Sequence, residues 1–302
     1  MSFVSNSIYS PIFAGLIRPQ TLLISLCPII VAASMVPSIL SQKKHLFFLL
    51  LICALFIQIG TNLANDYFDY KKEADSKGRL GPDRFTQNQK ISVHTLKLSF
   101  IMCFGLAFII GLYLTYIGGW LIFGIGCLAI LFGILYTATP YALAYTGTAD
   151  LIAFLFFGPI AVSGSIYLFT QKIIPETMLA GSGLGCFSLA LLAINNYRDF
   201  ESDKAVNKKT LVVRFGKSFG ALSFFLSLNF SAIVGILLFN RFQSPLFLST
   251  LIMSILSVPF LILLRQTTGK ALNKFLGLTV LLLFVYTVLL SLSFLLNRNP
   301  VV

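Results

Sequence analysis

"TNLANDYFDYKKEADSKGRLGPDRFTQNQK" occupies Thr61–Lys90 and directly follows the apolar run "HLFFLLLICALFIQIG", His45–Gly60. The chain has only ten Asp and Glu residues, and five of them, Asp66, Asp69, Glu73, Asp75 and Asp83, lie in this one segment. Lys71, Lys72, Arg79 and Arg84 are mixed among them. An apolar run of this quality reads as a membrane-crossing helix. Its polar end concentrates acids and bases in a chain that has few of either.

The composition agrees with that reading. The 302 residues are 57% hydrophobic and 11% charged, with mean hydropathy +0.90. Ordinary soluble domains are about 45–50% apolar and about 25% charged. Repeated apolar runs and the absence of paired alternation imply an all-α polytopic membrane protein rather than a β-barrel. The first apolar run follows Arg18 without a small-residue cleavage site, so it reads as the first helix and not as a removed signal. Cys27, Cys53, Cys103, Cys127 and Cys186 fall singly in apolar runs, as packing residues do. The net charge of +12 fits membrane topology and anionic ligands, with no nucleic-acid partner expected.

Nine apolar segments are expected as helices around a central cavity: 19–37, 46–66, 95–116, 119–137, 150–170, 177–197, 218–239, 245–264 and 272–296. The long connections, 67–94 and 198–217, follow the second and sixth. This suggests two four-helix halves plus a ninth helix, within one transmembrane domain spanning 1–302. With the N-terminus inside, seventeen Lys and Arg face inward, and only Lys43, Lys44, Lys172, Arg241 and Arg298 face outward. The bias of basic residues therefore places the N-terminus and both long loops in the cytoplasm and the C-terminus outside. The expected location is the inner (cytoplasmic) membrane.

Three further acids, Asp199, Glu201 and Asp203, lie in "NNYRDFESDKAVNKKTLVVRFG", Asn195–Gly216. At about 100° per residue, Asn62, Asp66, Asp69 and Glu73 share an arc of roughly 60° if their helix continues that far. Asn196, Asp199 and Asp203 share a similar arc on the sixth segment. Stacked like charges weaken a helix unless a cation lies among them. Carboxylates are hard ligands, and Mg²⁺ takes few of them together with phosphate and water. Two such helix ends facing each other could hold Mg²⁺, and a diphosphate through it. Lys72, Arg79, Arg84, Arg198, Lys204, Lys208, Lys209 and Arg214 are the bases able to meet phosphate oxygens. Asn65 and Asp75 join the polar candidates. The pair Gly181 and Gly185 reads as a close helix contact. His45 and His94 carry no expected role.

These residues resemble the UbiA superfamily of intramembrane aromatic prenyltransferases. Its first motif, Asn-x-x-x-Asp-x-x-(x)-Asp, is matched by Asn62, Asp66 and Asp69, and its second, Asp-x-x-x-Asp, by Asp199 and Asp203. "RPQTLLISLCPI" (Arg18–Ile29), "NLANDYFDYKKEADSKGRLGP" (Asn62–Pro82), "YTGTADLIAFLFFGPIAVSGSIYL" (Tyr145–Leu168) and Asn195–Gly216 look most like the branch acting in the menaquinone pathway. The resemblance implies Mg²⁺-dependent transfer of a polyprenyl group from its diphosphate to an aromatic acid, 1,4-dihydroxy-2-naphthoate, with loss of the ring carboxylate. It implies Asp66, Asp69, Asp199 and Asp203 as metal ligands, with Glu73 and Asp75 as further candidates. Asn62, Asn65, Asn196, Lys72 and Lys204 would bind substrate. Arg198, Lys209, Arg214, Arg79 and Arg84 would act on the diphosphate, and Tyr136, Tyr145 and Asp150 would lie near the acceptor. One departure stands out. Members often carry a basic residue after the short motif that opens "YTATPYALAYTGTAD", Tyr136–Asp150, which has none here. Arg198 or Lys209 is expected to replace it. Another acceptor, such as 4-hydroxybenzoate or homogentisate, is the alternative. A cation-coupled transporter fits less well, because its acids belong near the bilayer midplane.

Overall fold

The structure, a computed structural model, describes residues 18–71, 92–138 and 142–297. Among these residues it is all helix. The chain order is α1 (Pro19–Met35), α2 (Pro37–Gln42), α3 (Lys44–Lys71), α4 (Val93–Leu135), α5 (Ala149–Phe156), α6 (Pro159–Thr170), α7 (Pro175–Arg198), α8 (Phe200–Ala205), α9 (Leu211–Phe215), α10 (Lys217–Phe242), α11 (Ile252–Gln266) and α12 (Asn273–Leu295). Short 3-10 turns at Leu143–Tyr145, Pro245–Leu251 and Gly269–Leu272 join them. Seven helical segments are long and apolar enough to cross a membrane: α3, α4, α5 with α6, α7, α10, the 3-10 turn at 245 with α11, and that at 269 with α12. The chain is a multi-pass membrane protein.

Helix α4 accounts for two of the expected nine segments. Its 43 residues would measure about 65 Å at 1.5 Å per residue, twice the thickness of a bilayer core. Instead the chain reverses at Gly119, whose φ of 68° only glycine adopts freely. Phe104, before the turn, and Gly133, after it, both come to lie against α3 around Gly60 and Thr61. The shorter apolar α1 follows Pro19 and packs on both α3 and α12, so the first and last helices meet and close the bundle. The expected count of nine is compatible with this arrangement.

Helix α7 is the hub, packing against α5, α6, α10 and α12. It can do so because one face is glycine. A Cβ on Gly181 would stand 2.7 Å from the Gly158 carbonyl oxygen, and one on Gly185 would stand 2.6 Å from that of Phe154. The backbones of α7 and the α5–α6 corner are in contact there, as small residues permit in lipid. On the opposite face Tyr286 of α12 lies over Gly183 and donates to the Ser231 carbonyl at 3.1 Å.

Polar groups sort to the two ends of the bundle. At one end Lys43 donates to the Phe169 carbonyl at 2.7 Å, and Arg241 pairs with Glu176 at 2.5 Å. The other end gathers Arg18, the C-termini of α3 and α7, and both flanks of the 138–142 connection.

The glycine contact makes a stability prediction. Gly181→Ala should cost about 1–3 kcal/mol, because the added methyl meets backbone that cannot rotate away. Gly105→Ala, with open space around its Cβ, should be neutral or slightly stabilising. Thermal unfolding of both variants in detergent checks this, and equal melting temperatures would refute the contact.

Candidate active site

The polar end of the bundle holds a cavity of about 160 Å³. Six elements and one loop build its wall. The start of α1 supplies Arg18, α3 supplies Asn65 and Asp69, and the end of α4 supplies Tyr136 and Thr137. Tyr145 comes from the 3-10 turn. The end of α7 with α8 supplies Asn195, Asn196, Arg198, Asp199, Ser202 and Asp203, and Lys208 follows in the loop. The two acid-bearing segments, some 130 residues apart in sequence, therefore open into one space.

Helix α3 continues to Lys71, which keeps Asn62, Asp66 and Asp69 on one inward face, and all three are buried. Carrying a carboxylate into such a site is costly unless it is paired. Asp66 is met by the guanidinium of Arg18, held in the left-handed region at φ 49° just before Pro19. Asn62, one turn earlier, is tied into the helix packing. It accepts from Gln58 at 3.4 Å and donates to Thr21 at 2.8 Å. Thr137 donates to Asn65 at 2.8 Å, fastening the end of α4 to α3.

The second cluster is not on one uninterrupted helix, as the spacing suggested. Helix α7 ends at Arg198, Asp199 caps it with φ −92° and ψ 10°, and Asp203 lies on the separate short α8. The Asp203 amide still donates to the Asp199 carbonyl at 2.7 Å, so the two carboxylates stay on the same side. Arg198 is buried and fully engaged. Its Nε and Nη2 donate to the two Asp199 oxygens at 2.7 and 2.6 Å, and its Nη1 donates to Asn273 of α12 at 2.7 Å. Lys208 meets Asp203 Oδ1 at 3.1 Å.

Asp203 Oδ2 is buried and has no hydrogen-bond partner. Burial pushes this carboxyl above its usual range, and Lys208 beside it pulls only part of the way back. A hard cation shared with Asp69 and Asp199 along the same wall would satisfy that oxygen. The donor set of carboxylates and amides fits Mg²⁺ in kind. Among the described residues no three acids, His or Cys converge closely enough to hold a metal by themselves.

Of the other sequence candidates, Lys204, Lys209 and Arg214 are exposed and line no part of the cavity. Arg214 instead braces two loops, donating to the carbonyls of Lys209 at 3.1 Å and Thr146 at 2.9 Å. Asp150 lies in the first turn of α5, off the cavity wall. Lys72, Glu73, Asp75, Arg79 and Arg84 lie outside the described residues. Arg18 had carried only a topological meaning in the sequence. Asn273 gave no signal at all, because an Asn at the start of an apolar helix reads as a cap.

A second, apolar cavity of about 240 Å³ adjoins the first, and Tyr136 lines both. Its wall runs from Gln58 and Thr61 of α3 to Ile160 and Gly164 of α6. It also includes Phe108 and Leu112, which are exposed on the outer face of α4.

The sequence profile of the UbiA prenyltransferase family matches residues 21–288. The 1,4-dihydroxy-2-naphthoate octaprenyltransferase of Escherichia coli (strain K12) is 34% identical over 235 residues, 75% of each chain. The protein of the same name from Bacillus subtilis (strain 168) is 29% identical over 201 residues, 67% of this chain and 65% of that one. The structure of a UbiA homologue from Archaeoglobus fulgidus bound to DMAPP and Mg²⁺ shares the fold, with a TM-score of 0.65 at 15% identity, covering 93% of this chain and 99% of that one. With acid clusters on two helix ends opening into one cavity, and with the profile matching nearly end to end, the chain belongs to the UbiA prenyltransferase family.

Proposed function

We propose that the protein, as a single domain over residues 1–302, transfers a polyprenyl group from polyprenyl diphosphate to 1,4-dihydroxy-2-naphthoate, releasing CO₂ and giving demethylmenaquinol, the reduced form of demethylmenaquinone. The observation that carries this reading is a pair of cavities that share Tyr136 in their walls. A polar chamber with three carboxylates meets an apolar chamber at Tyr136. A prenyl diphosphate has this same division, a multiply charged head on a hydrocarbon tail. The relatives named above supply the acceptor.

The described lining carries Asp69, Asp199 and Asp203 against Arg18, Arg198 and Lys208, so it has no positive excess for a diphosphate. Asp69, Asp199 and Asp203, with Asp66 behind them, would hold Mg²⁺ here. When bound, Mg²⁺ supplies the missing counter-charge to the leaving diphosphate. Arg198 acts on the reaction by fixing Asp199 through a two-point grip that Lys cannot reproduce. Breakage of the C1–O bond leaves an allylic cation. The apolar chamber keeps water from it, and an electron-rich ring carbon attacks it as the ring carboxylate departs. A long tail extends along the apolar wall and leaves past Phe108 and Leu112 into the bilayer.

The proposed setting is the cytoplasmic membrane, with the N-terminus and the active-site end inside and the C-terminus outside. Arg18, Arg198, Lys208 and the α11–α12 turn with Lys270 gather at the site end, as the bias of basic residues requires.

Five measurements test the proposal. Purified protein given prenyl diphosphate, Mg²⁺ and a panel of aromatic acids should yield a decarboxylated prenyl naphthalenediol by mass spectrometry. Product from 4-hydroxybenzoate alone would change the acceptor, and no product from any acid would sink the reading. Chelation with EDTA should abolish turnover and added Mg²⁺ restore it. Asp66→Ala and Asp199→Ala should each abolish turnover while the protein still elutes as a folded species. Arg198→Lys should lose roughly ten- to a hundredfold in kcat/KM, the value of a charge-assisted contact. For sidedness, single cysteines at Asn207 and Gln42 in a cysteine-free chain should react with an impermeant thiol reagent from opposite sides, Asn207 from the cytoplasm. The reverse pattern would overturn the orientation.

A further inference from the structure

We propose that Lys208 is the residue that contacts the substrate diphosphate directly, supplying the positive charge that the connection after α4 lacks. This rests on the prenyl-transfer reading above and names a residue for it. The three bases of the cavity wall are not equivalent. Arg198 has all three of its guanidinium nitrogens engaged, by Asp199 and Asn273, and its side chain is only 3% exposed. Arg18, with a side chain 31% exposed, is committed to Asp66 of α3 and makes no ion pair with Asp203, the carboxylate that keeps an unpartnered oxygen. Lys208 makes a single carboxylate contact, at 3.1 Å, and its side chain is 23% exposed. An ammonium has three donors on a flexible stem, so a second acceptor can be met without breaking the first.

The backbone explains why Lys208 and not its neighbour faces the cavity. Asn207 adopts φ 53°, and the Lys208 amide donates back to the Asp203 carbonyl at 2.9 Å. This closes a turn over α8 and returns the Lys208 side chain to Asp203. The next residue, Lys209, donates its amide to the Tyr145 carbonyl at 3.1 Å and turns its side chain out to solvent. Through that bond Lys208 is carried beside the 3-10 turn after α4, and its ammonium lies 5.9 Å from the Tyr145 ring centre. The cation thus stands beside Tyr145, in the basic-poor stretch 136–150, but it arrives from the second half of the chain. A cation taking the unpartnered Asp203 oxygen would weaken the hold of that carboxylate on Lys208 and leave its ammonium to phosphate oxygens.

The test combines kinetics with binding. Wild type, Lys208→Met, Lys208→Arg and Lys217→Met are compared, the last being an exposed base off the cavity, paired with Glu201. Lys208→Met should lower kcat/KM for the prenyl diphosphate roughly tenfold to a hundredfold, with the KM for the aromatic acid unchanged. Its affinity for an unreactive prenyl thiolodiphosphate with Mg²⁺, measured calorimetrically, should fall by a similar factor. Lys208→Arg should recover most of both, and Lys217→Met should match wild type. If Lys208→Met binds the analogue like wild type, or if Lys208→Arg is as damaged as Lys208→Met, Lys208 is a structural ion pair and the proposal fails. If wild type itself neither binds the analogue nor forms product, the prenyl-transfer reading fails with it.

Discussion

The polar end of this molecule depends on pairing carboxylates with cations at the margin of an apolar helical bundle. Asp66, Asp69 and Asp203 are buried and Asp199 is largely so, and an isolated charge there would cost several kcal/mol. Paired cations make it tolerable. Arg18 on α1 answers Asp66 on α3, Arg198 answers its neighbour Asp199, and Lys208 answers Asp203. These pairs also do mechanical work. Arg18 joins α1 to α3, and Arg198 reaches through Asn273 to α12. The charge balance is therefore part of the bundle's closure, and the same closure gives the cavity its shape. Among the described acids Asp203 keeps a buried oxygen without a hydrogen-bond partner, and that is where the proposed cation would bind.

The apolar part of the fold serves that geometry. Helix α7 must bring Asn195 to Asp199 to the cavity while lying at the centre of the bundle. It can pass so close to the α5–α6 corner only because Gly181 and Gly185 present no side chain to it. Gly119 does the equivalent for α4, reversing the chain so that Tyr136 and Thr137 come back to the polar end. Tyr136 then lies in the wall of both the polar and the apolar chamber, the division that the proposed amphiphilic substrate would need.

The membrane class, the two acid clusters and their convergence were legible in the sequence, because hydropathy and helical spacing are local properties. Asn62, Asp66 and Asp69 follow from spacing alone, since α3 does continue through them. The break at Asp199 was not legible, because the tight Asp203–Asp199 turn preserves helical register while ending the helix. The roles of the bases were the least legible. A cation's partner is set by tertiary approach, so Arg18 looked like a topology signal, and Lys209 looked as able as Lys208. A single left-handed residue, Asn207, decides between those two lysines. Asn273 was invisible because its partner, Arg198, lies 75 residues away.

The central claim is that acids from the two halves of the chain form one diphosphate site. Diffraction from crystals grown with Mn²⁺ and a prenyl thiolodiphosphate tests it most directly, since Mn²⁺ gives an anomalous signal where Mg²⁺ does not. The account predicts anomalous peaks in the polar cavity, within ligand distance of Asp69 on one side and of Asp199 or Asp203 on the other, with the diphosphate between them. Peaks confined to one helix end, or a diphosphate lying elsewhere in the bundle, would contradict it.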